Sequence, residues 1–168
     1  MNPAVVLLSA VTAERVAELY WARRNTAALL AQGASEFAPR HYPAIVLLHA
    51  LWLAGLWMFG WDRPLSPAWC GVFFALQLLR LWTLRTLGRR WTTRIIVLPG
   101  APLTTSGPYR FLAHPNYLVV IGEIAALPLC FGLPWLSLVF SLANAGLLSL
   151  RIRAENAALI GSANVSRR

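Results

Sequence analysis

The sequence predicts an all-α integral membrane protein of four to five transmembrane helices, with a C-terminal helical hairpin and an irregular cytoplasmic loop ahead of it. Three observations carry this. Hydrophobic residues make up 58% of the 168 and charged residues only 12%, where a soluble domain carries about 25% charged residues. Much of the surface therefore faces something other than water. Apolar stretches close to the roughly 20 residues that cross a bilayer recur along the chain. The basic residues collect in the gaps between those stretches, as topology signals do. A mean hydropathy of +0.57 and eight Trp, a residue favoured in the headgroup layer, agree with this.

The first apolar segment runs from about Pro3 to Trp21 and is the least regular, because Glu14, Arg15 and Glu18 interrupt its second half. These three fall on neighbouring turns of one helix, at spacings that let them pair. The N-terminus lacks the basic start of a signal peptide, although Val11-Thr12-Ala13 loosely resembles a cleavage site, and the segment is expected to be retained. The second span, about Tyr42 to Trp61, has aromatic residues at both ends. The third, about Ala68 to Leu87, contains Arg80 and Arg85. The fourth runs from about Tyr117 to Phe131 and the fifth from about Pro134 to Leu150. Gly132-Leu133-Pro134 leaves room only for a tight antiparallel hairpin between them, and Pro128 is placed to kink the fourth. Cys70 and Cys130 both lie in apolar stretches and read as small core hydrophobes, with no metal site expected.

All fifteen basic residues are Arg, and the formal net charge is +9. The absence of Lys reads as a codon bias toward GC-rich DNA. A strongly basic chain commonly binds nucleic acid, but here the Arg positions point to membrane topology and no nucleic-acid partner is expected. Arg23, Arg24 and Arg40 follow the first segment; Asp62 and Arg63 follow the second. Arg89, Arg90, Arg94 and Arg110 follow the third, nothing charged follows the fourth, and Arg151, Arg153, Arg167 and Arg168 follow the fifth. Basic gaps thus alternate with nearly neutral turns. Five spans with the C-terminus in the cytoplasm satisfy the positive-inside rule at every connection, and four spans satisfy it as well. The length allows one domain, residues 1–168.

Chemistry concentrates in the long third connection, about Gly88 to Asn116. Ile95-Ile96-Val97-Leu98 reads as a short extended stretch, and Gly107-Pro108 and His114-Pro115 mark two breaks. Pro115 suits the first turn of the fourth span, and a helix start offers free N–H groups to an anionic ligand group. Tyr109, Arg110, His114 and Asn116 therefore read either as a ligand site at the membrane surface or as boundary anchors with a capping His. After the fifth span, Arg151 and Glu155 lie four apart on one helical face. They read as a solvated surface pair or as a helix folded under the membrane against the His-Pro loop. Glu123 is an ionisable residue inside the fourth span and so a functional candidate, or else a structural partner of Arg80 or Arg85.

Gly107-Pro108-Tyr109-Arg110, then His114-Pro115-Asn116-Tyr117, then Arg151-x-x-x-Glu155 about forty residues later resembles the isoprenylcysteine carboxyl methyltransferase family. The resemblance covers about residues 88–159. Arg24-Asn25, Gly33-Ala34-Ser35-Glu36 and His41-Tyr42-Pro43 are similar to a bacterial branch of that family. That branch accompanies type III polyketide synthases and methylates hydroxyls of alkylpyrones or alkylresorcinols. Ala113 stands where the common pattern has a basic residue, and Asn156 where it has a second Glu. Both departures point away from a prenylated protein C-terminus as substrate.

The resemblance implies an S-adenosylmethionine-dependent methyltransferase, facing the cytoplasm from a bacterial inner membrane, with a lipophilic small molecule as substrate. It implies a cofactor site of Tyr109, Arg110, His114, Pro115, Asn116, Tyr117 and Glu155. Arg151 or Arg153 would orient the nucleophile, with Arg151, Arg153 and Glu155 as the catalytic set. A weakly acidic hydroxyl needs a general base, for which His114 or Glu155 is the nearest candidate. O-methylation of an alkylpyrone or alkylresorcinol is the leading expectation, followed by carboxyl methylation of an isoprenylcysteine and amine methylation of a phospholipid. A non-catalytic membrane subunit that docks a partner through its Arg-rich face is the reading from another class.

Overall fold

The structure is a computed structural model that describes residues 2–39 and 42–165, with side chains as far as Glu155. Arg40, His41, Arg167, Arg168 and the side chain of Asn156 lie outside the described residues. Five helices carry the chain: α1 Pro3–Ala31, α2 Tyr42–Gly60, α3 Pro67–Leu87, α4 Pro115–Cys130 and α5 Pro134–Val165. Two short strands, β1 Ser35–Phe37 and β2 Ile95–Val97, pair antiparallel with Glu36 opposite Ile96. The extended reading of Ile95–Val97 is thus correct, and its partner is the segment just after α1.

α2, α3 and α5 are each long and apolar enough to cross a bilayer, while α4 is apolar but shorter. The chain is an integral membrane protein. The 16 residues of α4 rise about 24 Å, short of a 30 Å hydrocarbon core. The 32 residues of α5 rise about 48 Å, so its C-terminal turns extend past the bilayer. The hairpin between them turns on Gly132, whose φ of 65° is left-handed backbone. The Gly132 and Leu133 N–H groups bond back to the Leu129 and Pro128 carbonyls, closing α4.

The core runs through Leu8, Leu56, Ile124, Leu127, Phe131 and Leu136, side chains from α1, α2, α4, the hairpin turn and α5. Two glycines permit close approaches. A Cβ on Gly60 would sit 3.2 Å from the Phe131 ring, and one on Gly122 would sit 2.7 Å from Leu76 of α3.

α1 is continuous through Glu14, Arg15 and Glu18 and runs on past Arg23 and Arg24, which the sequence reading placed in the connection after it. Arg15 pairs with Glu18 at 3.1 Å, as the spacing of three predicts, and also with the adjacent Glu14 at 3.2 Å. The same patch faces the bundle. Arg80 of α3 donates to both oxygens of Glu123 on α4 and to both of Glu18 on α1. Arg15 lies 3.5 Å from Glu123, and Gln77 donates to Glu14 at 2.7 Å. Arg80 and Glu123 are each only 4% exposed. Glu123 is therefore held by Arg80, with Arg85 exposed and elsewhere.

One end of the bundle gathers the α1–α2 connection, the end of α3, the long loop, the start of α4 and the last turns of α5. The other end is tied by Asn2 donating to the Trp61 carbonyl and by Ser66 N–H donating to the Cys130 carbonyl. Cys70 and Cys130 are free thiols packed in or against the core.

Candidate functional site

The long loop is fastened before it reaches the site. Asn25 on α1, 7% exposed, donates to the Gly88 and Trp91 carbonyls at 3.1 and 2.8 Å. This pins the turn after α3 and buries Trp91. Arg94 donates to both oxygens of Glu36 at 2.9 Å and lies over the Tyr42 ring at 4.5 Å. Tyr42 and Thr93 share a hydroxyl hydrogen bond of 3.1 Å. The strand pair therefore clamps the N-terminal half to the loop. Further on, Gly107–Arg110 forms a single 3₁₀ turn. Gly107 is required there twice over. Its φ is 57°, and a Cβ on it would sit 2.3 Å from the Thr86 hydroxyl.

Pro115 opens α4, where its missing N–H costs nothing. His114 precedes it but makes no side-chain cap; its ring instead stacks on Tyr117, with centroids 5.1 Å apart and planes 23° apart. The Tyr117 hydroxyl donates to Glu155 on α5 and accepts from Arg151 Nε at 3.1 Å. Arg151 also donates to the Thr93 carbonyl at 2.8 Å. The His-Pro loop and the Arg-x-x-x-Glu helix thus meet through Tyr117, and the reading of Arg151 and Glu155 as a free surface pair fails.

Around this junction lies a cavity of about 710 Å³. Tyr109, His114, Asn116, Tyr117, Arg151 and Glu155 line it, together with Arg90, Arg94 and the β2 strand. Asn116 Oδ1 is buried with no partner among the described residues. Burial and the nearby Glu155 carboxylate push the Tyr109 phenol up to about 12, so at neutral pH it is a hydrogen-bond donor. Arg110, Pro115 and Arg153 do not line the cavity. Arg110 and Arg153 are exposed, and Pro115 is buried in the first turn of α4.

A second cavity, of about 290 Å³ and mostly apolar, lies between α1, α2 and α5. Trp91, Thr92, Asn116, Tyr117 and Arg151 line both cavities, so the two adjoin. His49, Trp52 and Asn144 belong to the second alone. Sequence reading missed this chamber. His49 and Asn144 are isolated polar residues in apolar spans, and that isolation was the available signal.

The comparisons with known proteins agree with this geometry. The model of the isoprenylcysteine carboxyl methyltransferase family matches residues 69–161, which include both motifs and the hairpin between them. This chain belongs to that family. It is a membrane methyltransferase by that membership, and methyltransferases of the family use S-adenosylmethionine. Among its relatives, the uncharacterized protein YpbQ of Bacillus subtilis strain 168 is 40% identical over 159 residues, 92% of this chain and 95% of that one. An uncharacterized protein of Haemophilus influenzae is 24% identical over 161 residues, 92% of this chain and 93% of that one. No solved structure gives a significant match.

Proposed function

We propose that this protein is an S-adenosylmethionine-dependent membrane O-methyltransferase whose acceptor is the hydroxyl of a lipophilic head, such as an alkylpyrone or alkylresorcinol. The observation that carries this reading is the pair of adjoining cavities, one polar and loop-lined, the other apolar, meeting at Asn116, Tyr117 and Arg151. The larger is of ordinary size for a ligand cleft, which spans roughly 300–1,000 Å³. Its residues fit S-adenosylmethionine. Arg90 and Arg94 suit the carboxylate, Glu155 the amino group or ribose, and Asn116 adds a further polar side chain to the wall. Tyr109, His114 and Tyr117 complete the wall, while Arg110 and Pro115 belong to the loop's frame.

S-adenosylmethionine supplies a methyl group on a sulfonium, already activated. The chain supplies alignment and exclusion of water. Of the paired arginines, Arg151 borders both cavities and would offset negative charge on the acceptor oxygen. Arg153 stays exposed. The positive-inside rule would place the Arg-rich loop end in the cytoplasm, and the bacterial relatives suit a bacterial plasma membrane. The whole chain, residues 1–168, would act as one domain, since α1 and α2 build the second cavity that the motif-bearing half lacks.

A carboxyl acceptor, as in the family's name, is the second reading, because Arg151 also suits a carboxylate. Two experiments decide. His114→Ala and Glu155→Ala should each weaken S-adenosylmethionine binding more than tenfold by calorimetry; unchanged affinity in both would misplace the site. Labelled S-adenosylmethionine offered to protein in lipid with an alkylpyrone or a farnesylcysteine analogue should label the pyrone. Label on the farnesylcysteine carboxyl alone would give the second reading the place.

A further inference from the structure

The apolar chamber contains unspent polarity. Trp52 and Trp91 line it, are 3% and 4% exposed, and have indole N–H groups without a partner among the described residues. Arg15 Nε is buried and unpartnered in the same wall. A buried donor left without an acceptor costs about 1–3 kcal/mol. These atoms are packed within the wall; it is His49, Asn116 and Asn144, polar side chains in a largely apolar lining, that suit a polar head as the occupant.

His49 stands in that wall from the middle of α2. Its Nδ1 is 2.8 Å from the Ile45 carbonyl. A carbonyl oxygen only accepts, so Nδ1 carries the proton, and in the neutral ring Nε2 presents a lone pair. The other candidate bases are committed. Glu155 accepts from Tyr117, Glu18 from Arg80 and Arg15, and Glu123 from Arg80. His114 stacks on Tyr117 in the other cavity and is absent from this one. The charged groups near His49 are Arg15 and Glu18 of α1, Arg80 of α3 and Arg151 of α5 in the chamber wall, with Glu123 of α4 held behind Arg80.

We propose that His49 is the general base for the acceptor hydroxyl, which sits in the chamber between α1, α2 and α5. This rests on the O-methylation reading and adds a catalytic residue outside the matched stretch of residues 69–161. The proton moves from the hydroxyl oxygen to His49 Nε2, and the oxygen keeps the electron pair. The ring becomes an imidazolium and returns the proton to water after turnover. Arg151, which lines both cavities, would offset the charge that develops on that oxygen. A carboxylate acceptor would have no use for this base.

The test uses the full chain in lipid nanodiscs. General bases contribute about 10²–10⁴-fold. His49→Gln and His49→Phe should each lose that much methyl transfer to an alkylresorcinol, with S-adenosylmethionine affinity by calorimetry unchanged. Most of the rate should return with a dinitrated resorcinol head, which arrives as an anion. Without S-adenosylmethionine, a mononitrophenol-headed lipid should show its phenolate absorbance at neutral pH when bound to wild type and lose it in both variants. Undiminished rates on alkylresorcinol, or an equal loss on the dinitrated head, would overturn the role of His49 while leaving O-methylation standing. Wild-type label on a farnesylcysteine carboxyl alone would overturn both.

Discussion

The buried charges of α1, α3 and α4 and the phenol of Tyr109 illustrate two residue-scale effects that sequence alone leaves undecided. Arg80 meets both Glu18 and Glu123 in a part of the molecule that spans lipid. Breaking a buried pair by deleting one partner leaves a charge uncompensated and costs about 3–5 kcal/mol. Arg80→Met should therefore lower the thermal midpoint in detergent sharply, and the added change Glu123→Leu should restore part of it. A midpoint unchanged in Arg80→Met would mean that the cluster is hydrated. Tyr109 is a different case. Its folded-state phenol is raised to about 12, by burial first and by the Glu155 carboxylate second. Since the unfolded phenol ionises near 10, its contribution to stability is fully present below pH 10. It is lost as pH rises through 12. Tyr109→Phe should bind S-adenosylmethionine about fivefold to tenfold more weakly, the worth of one hydrogen bond of about 1 kcal/mol. That deficit should stay constant from pH 6 to 9, and a deficit that varies across this window would contradict the neutral-donor role.

At the scale of elements, local breakers were legible and long-range clamps were not. Gly132-Leu133-Pro134 announces the hairpin, and Pro115 announces the start of α4, because backbone chemistry at those positions acts within a few residues. The end of β1 and the Glu36–Arg94 pair depend on contacts across 58 positions, which no local pattern encodes. The same holds for His114. Its place before Pro115 suggests a cap, but the ring found a better partner in Tyr117. Arg110 shows the converse, a motif residue that faces outward while its neighbour Tyr109 faces the cavity. Gly107 controls that choice, since it carries a positive φ and lies against Thr86 two residues before Tyr109. Gly107→Ala should destabilise by about 1–3 kcal/mol and weaken S-adenosylmethionine binding beyond the Tyr109→Phe effect. Thr86→Ala in the same protein should recover only part, because it relieves the contact and leaves the φ strain. Full recovery would show that φ at residue 107 is unimportant.

For the whole molecule, the division of labour between halves explains why the motifs were readable and the second cavity was not. The motif-bearing half concentrates its polar groups on one loop and one helix. The chamber draws its lining from all five helices and the loop after α3, and most of its polar members, such as His49 and Asn144, stand alone in stretches that read as ordinary spans. The outer faces of those helices remain apolar: Leu47, Met58, Phe74 and Leu142 are each more than half exposed. A substrate with a long alkyl chain can therefore reach the molecule from hydrocarbon, with its tail left in the bilayer and only its head taken into the 290 Å³ chamber. This partition sets how activity responds to the tail. Moving a methylene out of water is worth about 0.8 kcal/mol, roughly fourfold in affinity per carbon. A substrate already dissolved in the bilayer has gained that energy before it meets the protein, so each added methylene should change its rate little. With rates normalised to mole fraction in the membrane, lengthening the chain from about 11 to 17 carbons should alter turnover less than threefold. Exchanging the hydroxylated ring for a methoxylated one should abolish it. A steep, continuous rise with chain length under the same normalisation would place the tail inside the protein and would require a far larger apolar cavity than the chamber between α1, α2 and α5.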